Sequence, residues 1–195
     1  MSTEPQHPHL AAELIVRARR ADEHWARLVR MRATDLQIGA GRHDDHVNAT
    51  VLGRKIADYG WPDVPLVGED GARAAWRIAL RADVQPDMQR LSLRLMYEAV
   101  ERGAADLSQW AHLYDRCLLG RGLPQHYGTQ YVLGPDGPRM QTVAGPAGDL
   151  DARRAAVNLP PSALALRCLR ARLAEEPRTD DQRDDGAAVD LADAA

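Results

Sequence analysis

Leu107-Ser-Gln-Trp-Ala-His-Leu-Tyr-Asp-Arg-Cys-Leu-Leu119 runs into Gly120-Arg-Gly-Leu-Pro-Gln-His-Tyr-Gly-Thr-Gln130, and this junction decides how the chain is read. At about 100° per residue, Leu107, Trp110, Tyr114, Cys117 and Leu118 share one face of a helix, with Ala111 at its margin. Gly120 and Gly122 end that helix. Gln125, His126, Tyr127, Thr129 and Gln130 then crowd polar groups into six positions, among glycines and a proline that fix the backbone. A rigid helix holding out a polar loop is a usual place for functional groups.

Beyond the loop, Tyr131 to Val143 reads as a β-hairpin turning at Gly134-Pro-Asp-Gly137. Gly145-Pro-Ala-Gly148 links it to a short helix near 149–157 and a last one near 161–174. Upstream, Leu10, Leu14, Ala18, Ala21, Trp25 and Leu28 recur at three- and four-residue spacing and predict a helix over 9–33. The glycines of Ile38-Gly-Ala-Gly-Arg42 predict a break before a second helix over 44–58, capped by Asp44 or Asp45. Tyr59-Gly-Trp-Pro62 stops it, a third helix follows over 69–82, and Pro86 and Gly103 bound a fourth over 86–102. The expected fold is mainly α: a single-domain helical bundle of about six to seven helices with one small β-hairpin near 131–143, spanning 9–174.

A chain of 195 residues with 45% hydrophobic and 27% charged residues is long enough for one core, which forms without phenylalanine. From Glu175 onward eight acids face Arg178 and Arg183. Residues 175–195 therefore carry −6 of the net −3, leave the body at +3, and read as a disordered acidic tail. A body at +3 is too weakly basic for a nucleic-acid binder. The sequence has no membrane-length apolar run and no leader pattern, so a cytoplasmic protein without membrane partners is expected. Cys117 and Cys168, each in an apolar helical pattern, are expected to be buried reduced thiols.

Asp115 lies at the border of the apolar stripe, where partial burial would shift its pKa toward acid–base work, or where it would make a structural salt bridge or bond the following loop. Gln89 projects among Met88, Leu93 and Met96, either tying its helix to the loop at 125–130 or lining a pocket there. Arg73, Arg77 and Arg81 form a ridge that would receive an anion or pair with neighbours such as Asp70. His43-Asp-Asp-His46 lacks the further ligands of a metal site and reads as a polar helix start, so no metal is expected. Phosphate-loop, dinucleotide-turn and nucleophile-elbow motifs are all missing, which excludes those chemistries and leaves no organic cofactor expected.

Tyr59-Gly-Trp-Pro62, Leu66-Val-Gly68, Ala74-Ala-Trp76, Ala82-Asp83, Gln89, Leu113-Tyr-Asp-Arg116 and Gly122 to Gln130 together resemble the uncharacterised bacterial family known as domain of unknown function 6624. The resemblance runs from about Asn48 to Tyr131, with a weaker echo at Asp151-Ala-Arg-Arg154. It implies that Trp76, Asp83, Gln89, Asp115, Arg116, Gln125, Tyr127 and Gln130 are recurring family positions, and it brings no activity with it. Many members carry histidine where this chain has Arg81, and arginine cannot act as a base near neutral pH.

The expected function is a small cytoplasmic enzyme using carboxylate acid–base chemistry on a polar or anionic small molecule or a peptide-derived substrate. Hydrolysis, elimination or cyclisation would fit. Asp115, with Asp83 and Arg116, forms the expected catalytic set. Arg116 or Arg81 holds an anionic group, Gln89, Gln125, Tyr127 and Gln130 orient the substrate, and Trp61 and Trp76 wall it. The alternative is a non-catalytic ligand- or protein-binding module in which Asp115 and Gln89 brace the loop.

Overall fold

A computed structural model describes residues 4–30 and 33–175, with the backbone of 189–191. Helix α1 is Pro8–Arg30, α2 is Asp35–Tyr59 and α3 is Val64–Leu80. Leu10, Leu14 and Ala18 put their side chains on one face of α1, which packs along α3. They join Leu52 and Ile56 of α2 and Ala75, Ile78 and Ala79 of α3 in the main core. Small alanines on α3 let the helices approach closely, and Leu, Ile and Trp fill the space that phenylalanine would otherwise occupy.

The second helix starts nine residues earlier than the sequence suggested. Thr34 caps it: its hydroxyl accepts from the Gln37 amide at 3.3 Å, and the Gln37 side chain accepts from the Thr34 amide at 2.9 Å. Helix α2 then runs straight through Gly39 and Gly41. Gly41 marks a crossing rather than a break, because a Cβ there would lie 2.8 Å from the His24 ring and 2.9 Å from Trp25 of α1. In α3, Asp63 caps a first turn and Gly68, at φ 73°, redirects the chain into the main helix.

Helix α4 is Pro86–Glu101 and α5 is Leu107–Leu119. Strands β1, Tyr131–Gly134, and β2, Gly137–Met140, form the expected hairpin, with Gly134 opposite Gly137 across the turn. The sheet gains a third strand, β3, where Val189–Leu191 pairs antiparallel with β1. The remainder of the acidic tail lies outside the described residues. Helices α6, Leu150–Ala155, and α7, Ser162–Glu175, complete a mainly α single domain. Tyr131 packs on Leu169 of α7, while Val157 and Leu159 pack on Ala111 of α5.

Both cysteines are free thiols, and Cys117 is buried as expected. Cys168 is exposed instead. Ala165 and Leu169 form the buried line of α7, and Cys168 sits one residue off that line, about 100° round the helix. Among the described residues, no helix is long and apolar enough to cross a membrane.

Candidate functional site

Most of the expected site residues fall into two groups on either side of α5. The first group builds the loop after Gly122. Asp115 is fully buried, and its carboxylate accepts from the amides of His126 (2.7 Å), Tyr127 (3.0 and 3.2 Å) and Thr129 (3.0 Å) and from the Thr129 hydroxyl (3.0 Å). Burial pushes its pKa up, against the pull of those donors on the charged form. The loop's carbonyls are held from the other direction. Arg153 donates to His126 O at 2.9 Å, and Arg154 donates to Tyr127 O at 2.8 Å and Gly128 O at 3.0 Å. Gly128 has φ 63°, and a Cβ there would meet Met140 Sδ at 2.8 Å, so glycine is required on both counts.

Gln125 and Gln130 are buried with no exposed surface and serve the same loop. The Gln125 side chain accepts from the Gln130 amide at 2.8 Å and donates to Gln130 O at 3.1 Å and Gln141 O at 2.9 Å. The Gln130 side chain donates to His112 O at 3.3 Å and to the Thr129 hydroxyl at 3.0 Å. Tyr127 is partly exposed among Trp110, Tyr114 and His126, with ring centroids 4.6–6.3 Å from its own.

The second group is a charge cluster drawn from α1 to α5. Arg77 of α3 and Arg81, the residue that caps its C-terminus, both bond Asp22 of α1. Arg116 of α5 grips Asp83, just past α3, through Nε at 2.9 Å and through Nη2. Gln89 of α4 donates to Asp83 Oδ1 at 3.3 Å and to the last carbonyls of α3, Ala79 O and Leu80 O, each at 3.2 Å. Asp45 of α2 is buried and accepts the Trp25 indole proton at 2.9 Å. Burial raises its pKa from 3.8 to about 6, a shift that the Trp25 bond and Arg81 oppose and that Asp83 and Asp44 reinforce.

Several expectations are thereby corrected. Gln89 ties α4 to the end of α3 and not to the loop, its amide donating to Ala79 O and Leu80 O in the last turn of α3. Asp115 turns to the loop, while Asp83 pairs with Arg116. Trp61 and Trp76 lie in the main core, Trp76 edge-on to His112. The arginine ridge divides: Arg73 pairs with Asp70 at 3.8 Å, while Arg77 and Arg81 turn to Asp22. His43-Asp-Asp-His46 is not a helix start but lies inside α2, with Asp45 facing inward and His46 meeting Gln85 at 2.9 Å. Among the described residues, no three His, Cys, Asp or Glu side chains are grouped as a metal ion would need.

Asp22, Trp25, Asp45, Arg153 and Arg154 were missed as partners in these groups. Spacing offered one signal for Asp45: it lies three residues before Asn48 and seven before Leu52, on the buried line of α2. Arg154 fell in the Asp151-Ala-Arg-Arg154 echo, but burial of an arginine is not visible in such a motif. His112 also escaped notice. It is buried against Trp76, and its pKa falls from 6.5 to about 4 through burial first and then Arg154.

The molecule is thus a helical single-domain protein in which one helix separates a clamped loop from a charge cluster. It belongs to the family of unknown function DUF6624, whose model matches residues 16–174. No curated protein and no solved structure matches the chain.

Proposed function

We propose that the chain is a small cytoplasmic enzyme performing acid–base chemistry on an anionic small molecule at the charge cluster, with Asp45 as the proton-transfer group. The observation that carries this reading is the position of Asp45. It is a buried carboxylate on the Trp25 indole, under the influence of Arg81 and Asp83, with its pKa raised to about 6. A carboxyl near that value holds a proton and releases it close to neutrality, which general acid–base catalysis requires. Arg116 and Arg81 would hold the anionic group, and Gln89 would position it. Hydrolysis, elimination and cyclisation remain equal readings.

Of the two roles that its sequence position offered, Asp115 takes in this proposal the bond to the following loop and not proton transfer. With four donors already on its two oxygens, it serves the loop and leaves little capacity for a substrate proton. That same saturation favours a second reading, a non-catalytic binding module whose clamped loop presents Tyr114, His126 and Tyr127. The two free cysteines support a reducing setting for this chemistry.

The test incubates the full chain with a panel of small carboxylates and phosphate esters and follows each by mass spectrometry. The enzyme reading expects one class to be consumed by the wild type and spared by Asp45→Asn, which should still bind it. Binding without turnover, with shifts confined to loop resonances, would establish the second reading in its place.

A further inference from the structure

We infer that Asp83 occupies the seat of a ligand carboxylate, acting as a displaceable intramolecular latch over Arg116, so that the natural ligand of the cluster carries a carboxylate group. This rests on the placement of the functional site at the charge cluster proposed above. The argument begins with an imbalance of burial within one ion pair. The Arg116 side chain is 11% exposed, whereas the Asp83 side chain that neutralises it is 45% exposed. A guanidinium so far removed from water needs an anion beside it, but nothing in that need specifies which anion.

The carboxylate of Asp83 is held by Arg116 and Gln89, while its backbone sits in the short turn between α3 and α4, next to Val84, which is itself well exposed. The turn is closed by backbone bonds from Ala82 to Ala79 O and from Gln85 to Ala82 O, and neither involves the Asp83 side chain. Rotation about the Asp83 Cα–Cβ bond would therefore swing its carboxylate into solvent without unwinding either helix.

The donors left behind match a planar carboxylate. Arg116 offers Nε and Nη2 side by side, and Gln89 offers Nε2 to the oxygen that Nε also reaches. Gln89 stays in place when Asp83 leaves, since it is held by Ala79 O and Leu80 O. An incoming carboxylate would thus find a bidentate cation already aimed, beside the Gln89 amide whose two N–H groups it would share with Ala79 O and Leu80 O, and with Asp45 electrostatically coupled to the same spot.

The experiment follows the Arg116 Nε–H resonance by NMR in the full chain during titration with sodium acetate, with sodium chloride at matched ionic strength as the control. Wild type, Asp83→Asn and Asp83→Ser are compared, and Asp83→Asn/Arg116→Gln reports non-specific effects on the remaining spectrum. Removal of the latch should tighten acetate binding by about tenfold or more, the size expected for loss of one competing charged pair. The proposal is overturned if acetate affinity is the same in wild type and both Asp83 variants, if chloride reproduces the shift, or if inorganic phosphate binds the Asp83 variants more tightly than acetate. Acetate binding with no turnover of any panel compound would leave this inference standing and remove the catalytic reading. Turnover without acetate binding would do the reverse.

Discussion

Asp115 and Arg116 are neighbours in sequence and work on opposite sides of α5: Asp115 gathers the amides of His126, Tyr127 and Thr129, while Arg116 reaches across to Asp83. One helix therefore organises both the loop and the charge cluster. The loop side makes the firmer stability prediction. Asp115→Asn keeps the shape but replaces an acceptor oxygen by an NH2 facing amide donors. It should lower unfolding free energy by about 2–4 kcal/mol, the loss of charge-assisted bonds in a buried place. Urea denaturation measures this, and hydrogen exchange should accelerate first at His126, Tyr127 and Thr129. Unchanged exchange at those amides would contradict the clamp.

The opposite jaw of the clamp should behave as part of the same unit. Arg154 is almost completely buried and serves Tyr127 O, Gly128 O and Pro160 O. Arg154→Met should therefore cost about 2–4 kcal/mol, and Arg153→Met, which frees His126 O and Ala144 O nearer the surface, about 1 kcal/mol. Because Asp115 and Arg154 hold the same short loop and meet at Tyr127, their losses should fall short of additive in a double-mutant cycle by at least about 0.5 kcal/mol. Strict additivity would mean that the two jaws act on separate structures.

Asp45 and His112 should impose opposite pH dependences on stability. Asp45 is raised from 3.8 to about 6, so its proton stabilises the native state at low pH, and that stabilisation is lost as pH rises from 3.8 through about 6. His112 is lowered from 6.5 to about 4, so its contribution is full above 6.5 and lost as pH falls toward about 4. In the wild type the two slopes partly cancel. Asp45→Asn, whose amide oxygen still accepts from Trp25, should raise stability near pH 7 by roughly 1–3 kcal/mol and steepen the loss on acidification. His112→Phe keeps a ring against Trp76 and should remove most of the acid sensitivity. Denaturation midpoints across this pH range check both signs.

Helix α5, the hairpin and the loop were legible because each carries a local signal: a 3.6-residue stripe, a Gly-Pro-Asp-Gly turn, and glycines that end a helix. The grouping of the polar residues was not legible. Whether Asp115 turns toward the loop or toward Arg116's partner depends on which side of α5 each element packs, and no spacing within the chain encodes that. Asp45 was hidden for a related reason. The two glycines ahead of it read as a break, which places the start of its helix too late and hides its buried line. The capping by Thr34 and Gln37 was the available signal that α2 begins at Asp35.

Those two glycines also supply a paired test of why α2 contains them. Gly39 and Gly41 both lie in helical backbone, where alanine is normally favoured by up to about 1 kcal/mol. A Cβ at Gly39 would meet nothing within 4 Å, so Gly39→Ala should stabilise the protein by some part of that amount. A Cβ at Gly41 would strike the rings of His24 and Trp25 at 2.8–2.9 Å, so Gly41→Ala should destabilise by about 1–3 kcal/mol despite the better helix former. The clash should also displace Trp25 from Asp45, which the indole holds at 2.9 Å. Trp25's indole N–H resonance should therefore shift in Gly41→Ala and stay put in Gly39→Ala. If both variants proved equally stable, α1 and α2 would not cross where the structure has them, and Trp25 would lose its hold on Asp45.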